Sequence, residues 1–344
     1  MTHLPIRLTV DKEALVANWR WLASASGPAK CGAAIKADAY GTGAAAAAQA
    51  LVDAGCRDFF VAIWDEASAA LPHLGDASLS VLHGVGHDDM PAALQSRARP
   101  VLNSPEQVRR WRETGRPCDV MVDTGMNRLG ISIEDIEQGL LDGLEVEILM
   151  SHLACADEDG PVSERQLSRF APLTRKGLAR RYSLANSAGI CLGSDYAFDL
   201  TRPGIALYGG TPRREAAGRI AQVVRIEAQV LQRRQVPAGE GIGYNHLFTP
   251  DRACELAILN IGYADGYLRG FSNKGSALIG GRVAPVVGRV SMDLTAVCVD
   301  AAPEIKEGDW IEIDFDLPRA SANSGLSQYE LLTVLGRRYR RTGD

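Results

Sequence analysis

The chain has 344 residues, long enough for two cores, and its 46% hydrophobic and 23% charged residues are ordinary for a globular protein. A formal charge of -5 argues against a nucleic-acid or anionic-membrane partner. Seven cysteines, odd in number and without a C-x-x-C pair, oppose a disulfide framework and a structural zinc site and fit a reducing compartment. The early charges in MTHLPIRLTVDKEALV, and the lack of any apolar run near the ~18 residues of a membrane span, predict a cytoplasmic protein.

An opening strand near Ile6–Val10 is followed by Asp11, which can cap a helix running towards Leu22. Ala33–Lys36 reads as a strand, and Ala44–Ala54 as an alanine-rich helix ended by Gly55. Phe59–Ile63, Ser78–Leu82 and Pro100–Asn103 precede helices near Asp65, Met90–Gln95 and Ser104. Asp119–Asp123, Val146–His152, Tyr182–Ala185 and Phe198–Arg202 complete the series. About eight strands separated mostly by helices predict an α/β fold: an N-terminal (β/α)8 TIM-like barrel over residues 1–222. A doubly wound sheet has the same local pattern. The barrel is favoured because Lys36, Asp123, His152, Asn186 with Ser187, and Arg202 all fall at C-terminal strand ends, which a barrel gathers on one face.

Near residue 222 the helical period gives way to β-branched runs at Val223–Val230, Ala257–Ile261, Ala284–Val287, Thr295–Val299 and Trp310–Ile313, punctuated by Gly and Pro. They predict a C-terminal mostly-β domain over 223–344, closed by a helix near Tyr329–Leu335. The cluster Arg337, Arg338, Arg340 and Arg341 reads as a solvated helix end. His83 and His87, followed by Asp88 and Asp89, read as a polar loop with a helix cap rather than a metal site.

The chemistry begins at AIKADAYGTG, residues 34–43. Burial at the end of an apolar strand lowers a lysine's pKa, and a neutral amine is what a Schiff base with a carbonyl cofactor requires. Tyr40, Gly41 and Gly43 lead into a helix whose N-terminus can receive a phosphate. A snorkelling lysine with a plain loop remains the alternative from these residues alone.

This segment resembles the pyridoxal-phosphate attachment motif of alanine racemases, and matching segments follow in order down nearly the whole chain. The resemblance implies that Lys36 carries the cofactor and that Tyr40 holds its phosphate. VDTGMNRLG (122–130) implies Arg128 at the substrate carboxylate, and SHLACAD (151–157) implies His152 against the pyridine ring. LANSAG (184–189) implies Ser187 at the phosphate, and TRPGIALYG (201–209) implies Arg202 at the ring nitrogen with the Gly204 and Ile205 amides on the phosphate. In the second domain GIGYNHLF (241–248) carries Tyr244, while NIGYADGYLR (260–269) and VGRVSMD (287–293) imply Tyr263 and Met292 near the substrate.

A racemase removes the α-proton from one face and returns one to the other. The resemblance implies that Lys36 serves the D-isomer and Tyr244 the L-isomer, with a chain Tyr244–His152–Arg202 relaying charge. It also implies a homodimer with shared active sites and a D-alanine supply for peptidoglycan. An arginine only donates, so a ring nitrogen facing Arg202 stays unprotonated, which favours prompt reprotonation over transamination.

The sequence departs from that family at Met121, where many members have a lysine that becomes carbamylated and steadies the substrate arginine. A bound anion such as chloride, or a neighbouring side chain, is the expected substitute. In LLTVLGRRYRR (331–341), Gly336 falls where an entrance tyrosine is common, with Tyr339 off register. Ser291 is a third, smaller change. The alternatives are a broad-specificity or serine racemase on this scaffold, a related decarboxylase, a PLP-binding or homeostasis protein, and a metal-dependent barrel hydrolase. The decarboxylase lacks its acidic ring partner and cysteine motif here, and the six histidines form no ligand cluster.

Overall fold

A computed structural model describes residues 4–342; the outermost ends of the two expected domains lie outside the described residues. The chain forms two compact units, Glu13–Ala221 and a second built from Gln222–Asp344 together with the N-terminal strand.

The strand β1 (Ile6–Val10) belongs to the second unit, not to the barrel it precedes. The barrel strands are β2 (Lys30–Cys31), β3 (Ala33–Ala34), β4 (Asp58–Val61), β5 (Ser78–Val81), β6 (Arg99–Leu102), β7 (Cys118–Met121), β8 (Val146–Met150), β9 (Arg181–Ser183) and β10 (Leu200–Thr201). From β3 to β9 they lie side by side in sequence order, all parallel. Backbone bonds close the ring. The amides of Asp199 and Arg202 donate to Tyr182 and Ala185, at 3.0 and 2.9 Å, and those of Lys30, Gly32 and Ala34 donate to Asp199, Thr201 and Pro203, each at 2.9 Å. β2 and β3 thus act as one strand interrupted at Gly32, where a Cβ would stand 2.7 Å from the Asp58 carbonyl oxygen.

Parallel strands covered on both faces are apolar almost throughout, and β4 and β7 are buried at every residue. The charged exceptions sit at the N-terminal ends. Arg181 makes two bonds to Asp58, at 2.6 and 2.9 Å, and Asp119 accepts from Ser80 at 2.6 Å and from Arg99 at 3.1 Å. These pairs fill the end of the barrel remote from the loops that carry the site, a position of structural rather than catalytic character.

In the second unit β11 (Val224–Val236) runs for 13 residues and pairs antiparallel with β1, β12 (Cys254–Leu259) and β16 (Trp310–Ile313). A register shift between Val230 and Gln232 lets this one strand serve both parts of the sheet. β13 (Ser276–Ile279) and β14 (Arg282–Pro285) extend one edge, β15 (Thr295–Cys298) pairs with β12, and β17 (Arg340–Thr342) lies parallel to β1. The pattern of Gly and Pro concealed β13, β17 and the helix Leu317–Ser324. The closing helix spans Gln328–Thr333, so the arginine cluster follows it as a turn at Arg337 and Arg338 and a short strand from Arg340, rather than as a solvated helix end. Among the described residues no helix is long and apolar enough to cross a membrane.

Candidate functional site

Strand β3 stops two residues short of the expected limit, and the chain from Lys36 turns the unusual way. Ala37, Asp38, Ala39 and Tyr40 have φ of 53°, 52°, 53° and 56°, a left-handed helical turn made without glycine. Such geometry costs roughly 1–2 kcal/mol per residue, so the surroundings must hold it. The amides of Gly41 and Gly43 donate to the carbonyls of Ala37 and Asp38 at 2.8 and 2.9 Å, and the Thr42 hydroxyl donates to that of Ala39 at 2.6 Å. Asp38 accepts from the Ala44 amide at 2.7 Å, so the first amide of the following helix is already occupied and is not a free phosphate donor. The Tyr40 ring stacks on Tyr208 at 4.8 Å, and the Tyr208 hydroxyl donates to the Ala34 carbonyl at 2.9 Å.

The Tyr40 hydroxyl lies against Gly204, where a Cβ would stand 2.1 Å from its oxygen. Ser187, buried at the start of the helix Ser187–Cys191, accepts through Oγ from the Gly204 amide at 2.9 Å and from the Ala206 amide at 3.3 Å. Tyr40, Ser187 and the Gly204–Ala206 backbone therefore meet in one place. The Gly204 amide, expected at the phosphate together with that of Ile205, is thus held beside Ser187, and the Ala206 amide joins it there.

Arg202 follows β10 and is 6% exposed. Its guanidinium donates to the Ser183 hydroxyl and, at 2.5 Å, to the Ser151 carbonyl. Burial pulls its pKa down to about 10, with Asp119 opposing from a distance. His152 is pushed down to about 3, by burial first and then by the charges of Arg202, Arg128 and Lys36. Lys36 is held below the ordinary lysine range by burial and by Arg128, with Glu66 opposing. Lys36, Arg128, His152 and Arg202 thus form a positive group in which the imidazole stays neutral.

Arg128 is exposed within the barrel unit. Asp123 accepts from the amides of Gly125, Met126 and Asn127 at 2.8, 2.9 and 3.2 Å, and among the described residues it makes no ion pair with Arg128. Met121, at the end of β7, is 8% exposed. In the HGVGHDD loop Asp89 turns back to accept from the Gly86 amide at 2.6 Å and does not cap the helix it precedes. Among the described residues no group of three His, Cys, Asp or Glu is gathered for a metal ion.

The second unit carries the remaining candidates. Tyr244 is 64% exposed on a turn in which Gly243, Asn245 and His246 all have positive φ. Tyr263 and Met292 are brought together: the Tyr263 amide donates to Ser291 and the Ala264 amide to Met292, both at 3.0 Å. Gly262 permits this approach, since a Cβ there would lie 2.4 Å from the carbonyl oxygens of both Ser291 and Met292. The Gly336 amide donates to the Asp265 carbonyl at 3.1 Å, and Tyr339 is buried.

Sequence reasoning missed three residues. Glu66 binds the amides of Ala37 and Ala62 at 2.6 and 2.7 Å, and its signal was an acid in the first turn of a helix. Arg213 ties the loop after His152 through the carbonyls of Ala156 and Glu158, at 2.8 and 2.9 Å. Arg338 pairs with Asp265 and Asp293, which the reading of a solvated cluster hid.

Whether these residues fit a phosphate-bearing pyridine aldehyde is answered by their chemistry. A depressed lysine, a hydroxyl-and-amide cradle that any side chain at Gly204 would fill, and a buried guanidinium without a carboxylate bonded to it suit that group.

The description "Alanine racemase, N-terminal domain" matches residues 10–212, and "Alanine racemase, C-terminal domain" matches residues 223–343. The chain is 43% identical to the alanine racemase of Methylobacterium nodulans, over 97% of this chain and 95% of that one. It is 42% identical to the catabolic alanine racemase of Agrobacterium fabrum, over 97% and 91%. Among solved structures, alanine racemase from Bartonella henselae with covalently bound pyridoxal phosphate superposes with a TM-score of 0.92 at 37% identity, covering 99% of both chains.

Proposed function

The chain belongs to the alanine racemase family, and on that premise we propose that it is a pyridoxal-phosphate-dependent enzyme interconverting L-alanine and D-alanine. The observation that carries the reading is the convergence of Lys36, its amine held towards neutrality, with the Tyr40–Ser187–Gly204 cradle on one barrel end.

Pyridoxal phosphate, when bound, supplies the electron sink that makes a substrate α-proton acidic. Lys36 would hold it covalently, and Tyr40, Ser187 and the Gly204 and Ile205 amides would take its phosphate. Arg202 has donors only, so it would meet the ring nitrogen as a donor and leave it unprotonated. His152, kept neutral by burial and by the charges of Arg202, Arg128 and Lys36, would lie against the ring without adding charge. Arg128 binds the substrate carboxylate, steadied by an anion or a neighbouring side chain in place of the lysine that Met121 replaces.

Two-base exchange needs one proton carrier on each face of the substrate Cα. Lys36 Nζ takes the α-proton of the D-isomer and Tyr244 Oη that of the L-isomer, each returning a proton to the opposite face. Tyrosine is a weak base at its ordinary pKa of about 10, so neighbouring positive charge is what makes it serviceable. In this reading Tyr244, Tyr263 and Met292 serve the active site of a partner copy, so the working unit is a homodimer with shared sites, in the cytoplasm, supplying D-alanine for peptidoglycan. In this reading the barrel unit, Glu13–Ala221, binds the cofactor, and the second unit of the partner copy brings Tyr244 to it.

The test is a chiral assay for D-alanine after the purified protein and pyridoxal phosphate are mixed with L-alanine, with Lys36→Ala as control. D-alanine that vanishes in the variant supports the reading. Its absence despite cofactor uptake turns the proposal to another amino acid, a breadth that Gly336, with no side chain beside the Ala264–Asp265 turn, favours.

A further inference from the structure

Four consecutive non-glycine residues in the left-handed region do not stay there unaided, and the bonds inside the 37–44 turn do not tie it to the barrel. Glu66 does. It lies in the first turn of the helix Trp64–Ala70, which follows β4. One oxygen accepts from the Ala37 amide at 2.6 Å, directly after Lys36, and the other from the Ala62 amide at 2.7 Å, directly after β4. The Ile35 amide donates to Phe60 at 2.9 Å just before these, so the carboxylate continues the β3–β4 pairing beyond the point where the backbones part.

We infer that Glu66 is a positioning residue for Lys36: its carboxylate clamps the amide after Lys36 to the amide after β4 and so fixes the left-handed turn that presents Lys36 and Tyr40. The inference rests on the reading of Lys36 as the cofactor lysine. A carboxylate suits the task because it only accepts, and each of its oxygens meets one amide. A carboxamide can accept at one end alone, and an aspartate is one methylene too short to span both.

The charge of the same carboxylate also acts on the Lys36 amine, opposing burial and Arg128. Removing the charge while keeping the shape therefore moves the lysine further towards the neutral amine. Shortening the side chain while keeping the charge does not.

The experiment follows amide hydrogen exchange at Ala37 and Ala62 in the full chain, and the pH dependence of Lys36 labelling by an acylating reagent after the cofactor is removed. In the parent protein both amides are expected to exchange slowly, although Ala37 is exposed. Glu66→Gln is expected to speed exchange at one or both amides by about ten-fold and to lower the Lys36 labelling midpoint. Glu66→Asp is expected to speed exchange similarly while keeping the parental midpoint. Both variants are expected to bind pyridoxal phosphate about ten-fold more weakly. Fast exchange at Ala37 in the parent overturns the inference without any variant being needed. Parental exchange in both variants overturns it as well, as does a midpoint that Glu66→Gln leaves unmoved. A parent that takes up no pyridoxal phosphate at Lys36 sinks the cofactor reading instead, and the exchange measurements tell that failure apart.

Discussion

Arg338 donates through Nε and Nη2 to the two carboxylate oxygens of Asp265, at 2.7 and 2.9 Å, and through Nη1 to Asp293 at 2.7 Å. Asp265 is 1% exposed and closes the turn that begins at Tyr263; Asp293 follows Met292. A single guanidinium thus locks the segments bearing Tyr263 and Met292 to the C-terminal tail. Removing it leaves a buried carboxylate with the Gly262 amide, at 3.0 Å, as its remaining donor.

Arg338→Met is therefore expected to cost about 2 kcal/mol, the scale of a charge-assisted bond to a buried acid, tempered by the half-exposed arginine. Urea unfolding of the variant against the parent measures it. A loss within about 0.5 kcal/mol, the range of an ordinary surface substitution, would show the lock to be ornamental.

Gly204→Ala places a methyl 2.1 Å from the Tyr40 hydroxyl oxygen and must displace the tyrosine or the 204–206 backbone. Either movement opens the cradle in which Ser187 receives the Gly204 and Ala206 amides. We expect pyridoxal phosphate affinity to fall at least ten-fold, the effect of losing one charge-assisted bond, with the fold retained by circular dichroism. Unchanged affinity in a titration would remove Gly204 and Tyr40 from the phosphate site.

Tyr244→Phe removes the hydroxyl and keeps the ring on an exposed turn, so stability should change little. In deuterium oxide the variant is expected to exchange the α-proton of D-alanine through Lys36 while yielding no L-alanine. Conversion at the parental rate would take the proton-transfer role away from this tyrosine.

His152 gives a pH dependence with a definite sign. Its folded pKa of about 3 lies below the unfolded value of about 6.5, so the unfolded chain binds the extra proton between them. The contribution is fully present above about pH 6.5 and is lost as pH falls towards 3, with a slope of at most about 1.4 kcal/mol per pH unit. Urea midpoints of the cofactor-free protein between pH 4 and 7 should show a shallower slope in His152→Gln. Parallel curves for the two proteins would contradict the buried, neutral imidazole.

The sequence carried its own account of the barrel and of the residues at its mouth. Strand-length apolar runs ending in Lys36, His152 and Arg202 are local features, because the strand that buries a run and the position that ends it lie within a few residues of each other. The helix start at Ser104 is legible for the same reason.

Only the tertiary structure decided which sheet each strand joins and which charges meet. Ile6–Val10 alternates as any half-buried strand does, and nothing local reveals that its partners are Val224–Ala228 and Arg340–Thr342. Arg338 and Asp265 are 73 residues apart, and Ala37 and Glu66 are 29 apart, so neither pairing leaves a periodic trace. The left-handed turn after Lys36 was hidden more deeply still. Ala37, Ala39 and Tyr40 have no local preference for positive φ, and the conformation exists because Glu66, Tyr208 and the backbone around it outweigh that local cost.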